Sequence, residues 1–163
     1  MIWNHTIMVL FFQNLIRNEI ALFCVIIMKL LMFDTNDFWY KTFSKTVESA
    51  ENCDKEESTT CSLVIFINVE KEDEVQKDKV VKKAVNNICW LAKKTDRKKV
   101  VLHSFGHLSE SKSSIEFAED AIKMIKEKLT AKGLETSLTP FGYFYEFKIH
   151  VKGESLAKVW KSL

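Results

Sequence analysis

The stretch LVIFINV, residues 63–69, decides the fold class. It is apolar and β-branched on both parities, which is the pattern of a strand buried on both faces. A charged segment follows, VEKEDEVQKDK (69–79), read as a loop. Then Val81, Ala84, Val85, Ile88, Leu91 and Ala92 recur at helical spacing with lysines between them. Lys93 and Lys94 suit the negative end of that helix's dipole. Val100 to His103 is a second buried strand, and strand–helix–strand predicts a parallel pair. Ser113-Ser114-Ile115-Glu116 has the capping-box pattern. It opens a helix with the core stripe Ala118, Ala121, Ile122, Ile125 and Leu129, closed by Gly133 as C-cap. Leu134 to Leu138 reads as a short strand, Pro140-Phe141-Gly142 as a turn, and Tyr143 to Val151 as the longest strand, the last two paired as an antiparallel hairpin. Upstream, Lys29 to Phe33 is a short strand, and residues 34–60 read as irregular apart from a short strand near Trp39 to Phe43. Leu156 to Leu163 reads as a short amphipathic helix. The whole is α/β, a mixed β-sheet with packed helices.

With 163 residues, 47% of them apolar, the chain can bury one ordinary core, so a single domain is expected. A net charge of +2 is no nucleic-acid signature by itself. Its distribution is uneven, with ten acids against four bases from Glu48 to Lys79, and fourteen bases against nine acids from Lys93 onward. The basic half could meet a polyanion or simply form a solvated surface. Cys24, Cys53, Cys61 and Cys89 form no C-x-x-C pair and read as free thiols in a reducing cytoplasm. Residues 1–27 are hydrophobic, but Gln13, Asn14, Arg17, Asn18 and Glu19 break them into runs too short to cross a bilayer. They lack a basic n-region and a small-residue cleavage site. We read them as upstream sequence from a misassigned start, with the domain occupying 28–163 and no membrane partner.

In open α/β sheets, ligands bind past the carboxyl ends of the parallel strands. Here that selects the loop beginning Val69-Glu70 and the turn Ser104-Phe105-Gly106-His107. His107, in a loop beside a glycine, fits a ligand role as well as surface or capping use. His103 sits in an apolar strand and reads as a core or edge histidine. The pair His103 and His107 straddles a strand end, so no metal site is expected. Tyr143, Tyr145 and Phe147 share one strand face, Phe144 and Glu146 the other, and sheet packing alone would account for them. Lys148 and Lys152 could contact phosphate or only solvate their face. P-loop, dinucleotide, zinc-protease and serine-hydrolase motifs are absent, and no cofactor is expected.

The segments FINVEKEDE, VVLHSFGHLSESKSS and TPFGYFYEFKIHVKG, in that order, resemble the N-terminal editing domain of archaeal threonyl-tRNA synthetase. The resemblance runs from Met28 to the last residue. It implies the fold of D-aminoacyl-tRNA deacylase and the hydrolysis of serine mischarged onto threonine tRNA. Such editing has a physical basis: one methyl group supports only about 1–3 kcal/mol of discrimination, so a second, hydrolytic sieve is needed. The resemblance places His107 and Tyr145 at catalytic positions. It places Val69, Glu70, Gly106, Phe141, Gly142, Phe144 and Lys158 at substrate-binding positions. Two of these depart from the family pattern in charge: Tyr145 stands where the family has a lysine important for hydrolysis, and Lys158 where it has an acid. The family's early His-x-Asp-Tyr reads Asp34-Thr35-Asn36-Asp37 here, and Phe144 lacks a hydroxyl the family carries. The implied partners are the 3′ end of tRNA(Thr), a threonyl-tRNA synthetase bound in trans, and a second copy in a homodimer. Two functions compete: a trans-acting aminoacyl-tRNA deacylase, and a catalytically impaired paralogue that binds tRNA or synthetase. A pocket for a free amino acid or other small ligand is a third, weaker reading.

Overall fold

The computed structural model describes residues 28–163, so the expectation for residues 1–27 lies outside the described residues. The elements are β1 (Lys29–Lys45), β2 (Glu56–Asn68), a 3-10 segment (Lys71–Gln76), α1 (Lys77–Thr95), β3 (Lys99–Ser104), α2 (Ile115–Ala131), β4 (Glu135–Leu138), β5 (Tyr143–Val151), a 3-10 turn (Ser155–Ala157) and β6 (Lys158–Ser162). The strands form one mixed sheet in the order β4-β3-β2-β1-β5, with β6 also on β1. As the pattern of two buried strands around a helix implies, β2 and β3 are parallel, with Val64 opposite Val101.

Both faces of β2 are buried from Ser62 to Asn68 because the sheet is covered on one side and curled on the other. Leu63, Ile65 and Ile67 pack with Val81, Ala84, Ile88 and Leu91 of α1 and with Ile122, Ile125 and Leu129 of α2. Val64 and Phe66 point the opposite way, into a smaller cluster with Phe38, Tyr40 and Val101. The α2 C-terminus closes as read: Gly133 has φ 85°, its N–H donates to the Thr130 carbonyl at 2.9 Å, and the Leu134 N–H donates to that of Leu129 at 3.2 Å.

The structure corrects the sequence reading in several places: β1 and β2, not β5, are the longest strands, residues 71–76 are a 3-10 segment leading into α1 rather than a loop, and four further corrections shape the sheet and its helices. First, residues 34–60 are not mainly irregular: β1 is a single strand of 17 residues and β2 starts at Glu56. The strand hides its period by changing faces midway. Leu30 and Met32 lie under the helices, whereas Phe38 and Tyr40 join Leu31 and Phe33 on the opposite face. The switch falls at Asn36, where the register against β5 shifts and where Cys61, nearby in β2, takes φ 52°. The polar residues buried there have partners. Arg97 donates to both Asp34 oxygens at 2.6 and 3.3 Å, and the Thr35 hydroxyl donates to the Ser62 carbonyl at 2.9 Å.

Second, β4 and β5 are not a hairpin. β4 pairs parallel with β3, and β5 antiparallel with β1, so they hold opposite edges of the sheet. In a flat sheet those edges would be four spacings, about 19 Å, apart. Yet Thr139 is still held to β3, its N–H donating to the Leu102 carbonyl at 3.1 Å, while the Gly142 carbonyl already accepts the Thr46 N–H at 2.8 Å past the end of β1. Thr139 to Gly142 spans at most about 11 Å of extended chain. The sheet therefore curls into a half-barrel with the helices outside. Third, residues 158–162 form strand β6, not a helix, because Val159 and Trp160 alternate faces and pair with Met32 and Leu31. Fourth, Ser114 is the N-cap of α2 and no side chain completes a capping box there; its N–H instead donates to Glu74 Oε1 at 2.7 Å.

Candidate functional site

Curling brings the end of β3, the bridge 139–142 and the start of β5 around one cavity of about 260 Å³ on the inner face. Six of the residues singled out in the sequence line it: Gly106, His107, Phe141, Gly142, Phe144 and Tyr145. Three lie elsewhere. Val69 is buried against the helices, and its carbonyl accepts the Ser113 N–H at 3.0 Å. Glu70 is buried beside Lys29, 3.4 Å from its ammonium, and its N–H donates to Asp73 at 2.8 Å. Lys158 is exposed on β6, its ammonium donating to the Lys152 carbonyl at 3.3 Å.

The turn after β3 projects His107 outward, its ring edge-on to Phe105 at 5.5 Å. Gly106 precedes it with room for a methyl group, since a Cβ there would make only ordinary contact, 3.7 Å from the Lys112 Cε. Gly142 differs. It has φ 82°, and a Cβ would stand 2.9 Å from that of Ala50 and 3.0 Å from that of Val47. This glycine lets the bridge dock under residues 46–50. The Tyr143 hydroxyl holds the same segment from the other side, donating to the Glu51 carbonyl at 2.8 Å and accepting the Cys53 N–H at 2.9 Å.

The cavity floor was less visible in the sequence. His103 lies on it, only 4% exposed, with Nδ1 3.0 Å from the Thr139 hydroxyl. Its ring packs on Phe66 at 4.8 Å and meets Tyr145 edge-on at 5.1 Å. Burial pushes its pKa down to about 4, so the imidazole is neutral at physiological pH. Burial raises the Tyr145 phenol, with Thr139 opposing part of that rise. The Tyr145 oxygen is enclosed, with Thr139 as the side chain beside it. Apart from the histidines and the two tyrosines, no cavity-lining residue among the described residues is titratable. No group of three or more His, Cys, Asp or Glu among the described residues could hold a metal. The site can therefore present hydroxyls, an imidazole and aromatic faces to a neutral or esterified ligand.

A curved mixed sheet with two helices on its outer face is the D-aminoacyl-tRNA deacylase type of fold. The solved structure of a probable eukaryotic D-amino acid tRNA deacylase superposes with a TM-score of 0.61, at 6% identity, covering 83% of this chain and 99% of its own. The c-Myc DNA unwinding element binding protein gives 0.57 at 10% identity, covering 82% and 97%. At such identities the likeness shows the fold. The chain itself belongs to the archaea-specific editing domain of threonyl-tRNA synthetase, whose family model matches residues 28–163. The threonine–tRNA ligases of Thermococcus kodakarensis and Pyrococcus furiosus are each 32% identical to it over 139 residues, which is 83% of this chain. The chain spans only 22% of their length. No helix among the described residues is long and apolar enough to cross a membrane.

Proposed function

We propose that this domain hydrolyses the ester of a mischarged aminoacyl-tRNA, that seryl-tRNA(Thr) is its substrate, and that it acts in trans. The observation that carries this reading is the convergence of the Gly106-His107 turn, the Pro140–Gly142 bridge and Tyr145 on one cavity in a member of an editing family. The 3′ end of the tRNA enters the mouth, where exposed Phe144 and His107 stand. Water adds to the ester carbonyl, the bond to the ribose oxygen breaks, and that oxygen leaves with a proton. The Phe105 N–H is committed to the Ile67 carbonyl at 2.8 Å, so the N–H groups of Gly106 and His107 further along the turn are the candidates to hold the oxyanion. His107 and Tyr145 position the water or the terminal ribose. A synthetase bound in trans would deliver the tRNA, and pairing into a homodimer belongs to the same proposal.

A second reading has its own support. The cavity carries no lysine or arginine, and a neutral phenol stands where the family has an ammonium. A domain so altered could hold the tRNA end, or a synthetase, without turnover. The experiment is deacylation of seryl-tRNA(Thr) and threonyl-tRNA(Thr) by the parent and by Tyr145→Lys. Selective release of serine by the parent supports the hydrolase. Turnover only in the Tyr145→Lys variant would sink it in favour of the binding reading.

A further inference from the structure

The loop 105–113, which carries Gly106 and His107, has both of its feet tied to the end of β2. The Phe105 N–H donates to the Ile67 carbonyl at 2.8 Å, and the Ser113 N–H to the Val69 carbonyl at 3.0 Å. Asn68 stands between those two carbonyls in the chain. Its side chain is only 1% exposed. Nδ2 donates to the Ser111 carbonyl at 3.2 Å, and Oδ1 lies 3.9 Å from where a Cβ on Gly106 would be. One side chain of β2 therefore lies beside both arms of the loop.

Ser111 is tied at its hydroxyl as well. Its Oγ accepts the Lys71 N–H at 3.3 Å and donates to Glu72 Oε2 at 2.8 Å. Three bonds thus reach this one residue from 39, 40 and 43 positions earlier in the chain. A surface loop can satisfy its polar groups with water, so three long-range bonds at one loop residue serve to fix its place. The chain between Ser111 and the turn is held too. Leu108 packs against the concave cluster, and the His107 ring rests edge-on against Phe105 at 5.5 Å. Among the described residues no hydrogen bond holds the Gly106 or His107 backbone directly, so the turn takes its position from these anchors.

We propose that Ser111 and Asn68 are positioning residues that set where the Gly106-His107 turn stands at the cavity. Their use in ester hydrolysis rests on the deacylase reading above; the tie itself does not. Neither touches substrate. They act by fixing the Gly106 and His107 N–H groups and the His107 ring, and a displacement of about 1 Å at such groups can cost about 100-fold in rate.

The test has two arms, both on the full chain. The first follows the His107 ring by NMR, its signals assigned by their loss in His107→Gln, together with hydrogen exchange at the Ser113 amide. Ser111→Ala and Asn68→Leu are expected to shift the ring signals and speed that exchange about tenfold or more, and Ser111→Thr to stay near the parent. Ser111 is only half-buried, so its variants keep the fold even where Asn68→Leu does not. The second arm measures single-turnover release of serine from seryl-tRNA(Thr). Ser111→Ala and Asn68→Leu are expected to lower the rate about tenfold or more with little change in tRNA binding, while Ser111→Thr keeps most of it. Arg97→Met, which loosens the fold at Asp34 outside the cavity lining, is expected to keep the parental rate. Unmoved ring signals and unchanged exchange in Ser111→Ala would overturn the tie whether or not the protein is a deacylase. Moved signals with an unchanged rate in an active parent, or an equal loss of rate in Arg97→Met, would overturn the positioning role. Moved signals, restored in Ser111→Thr, in a parent without turnover would support the tie and overturn its use in ester hydrolysis.

Discussion

Two glycines of the cavity wall should respond oppositely to alanine. Gly142 has φ 82°, a conformation that costs an L-residue about 1–2 kcal/mol. Its new methyl would stand 2.9 and 3.0 Å from the Cβ atoms of Ala50 and Val47. Carbon atoms pack comfortably at about 3.5–4.0 Å, and relieving such an overlap typically costs about 1–3 kcal/mol. Residues 46–50 are a loop and can yield, so the sum should settle near 2–3 kcal/mol rather than at the upper limit. For a domain of this size that is a fall in Tm of roughly 6–12 °C. The same shift breaks the bonds from Thr46 and Val47 to the Gly142 carbonyl, so the cavity should loosen with the fold. Gly106 has no positive φ, and its added methyl would meet nothing closer than 3.7 Å. Gly106→Ala should leave Tm unchanged or raise it slightly, by about 0.4–1 kcal/mol of stability. Circular-dichroism melts of the two variants beside the parent decide the matter. A Gly142→Ala protein melting within about 2 °C of the parent would refute both the strain and the docking argument.

Other perturbations follow from buried charge and from the chain's start. His103 has a folded pKa near 4 against an ordinary 6.5, so the unfolded state binds the extra proton between those values. Stability should therefore be full above pH 6.5 and fall by up to about 3 kcal/mol as the pH drops towards 4, as read by urea unfolding. In His103→Asn that part of the pH dependence should vanish. Arg97→Met leaves Asp34 buried with only Lys152, 3.8 Å away, and should cost about 3 kcal/mol, measured the same way. We also expect the protein beginning at Met28 to fold as the full chain does. Its α-ammonium would stand where the Met28 N–H now meets buried Asp73 at 3.2 Å. Asp73→Asn should then destabilise the short protein more than the full chain.

What could be read from the sequence divides along physical lines. α1, β3 and the inner half of β2 were legible because each keeps one pattern throughout, and Gly133 because a helix C-cap is a local device; the outer half of β2, from Glu56 to the positive φ of Cys61, is polar and exposed and was not. β1 was not, since Asn36 reverses its faces and the two half-patterns cancel. Pro140-Phe141-Gly142 carries every local mark of a hairpin turn, and only the pairing of β4 with β3 reveals that it crosses the half-barrel. Eight residues ending in Val159-Trp160-Lys161-Ser162-Leu163 suit either period, and the free edge of β1 decides for a strand. At the site, the Gly106-His107 turn and the aromatic run stood out because loops and clustered rings are conspicuous. His103 did not, because a histidine in an apolar strand looks like packing until Thr139, 36 residues away, is brought to its Nδ1.

The bridge from Thr139 to Gly142 has a consequence beyond connectivity. It acts as a tie across the two rims of the half-barrel, and its length, rather than any side chain, limits how far they can part. Each residue added to it would lengthen the tie by about 3.5 Å. Each one removed would draw β3 and β5 together over the Tyr145 hydroxyl. The bore of the cavity can thus be widened for a larger ligand by lengthening one short segment, with every lining side chain left in place.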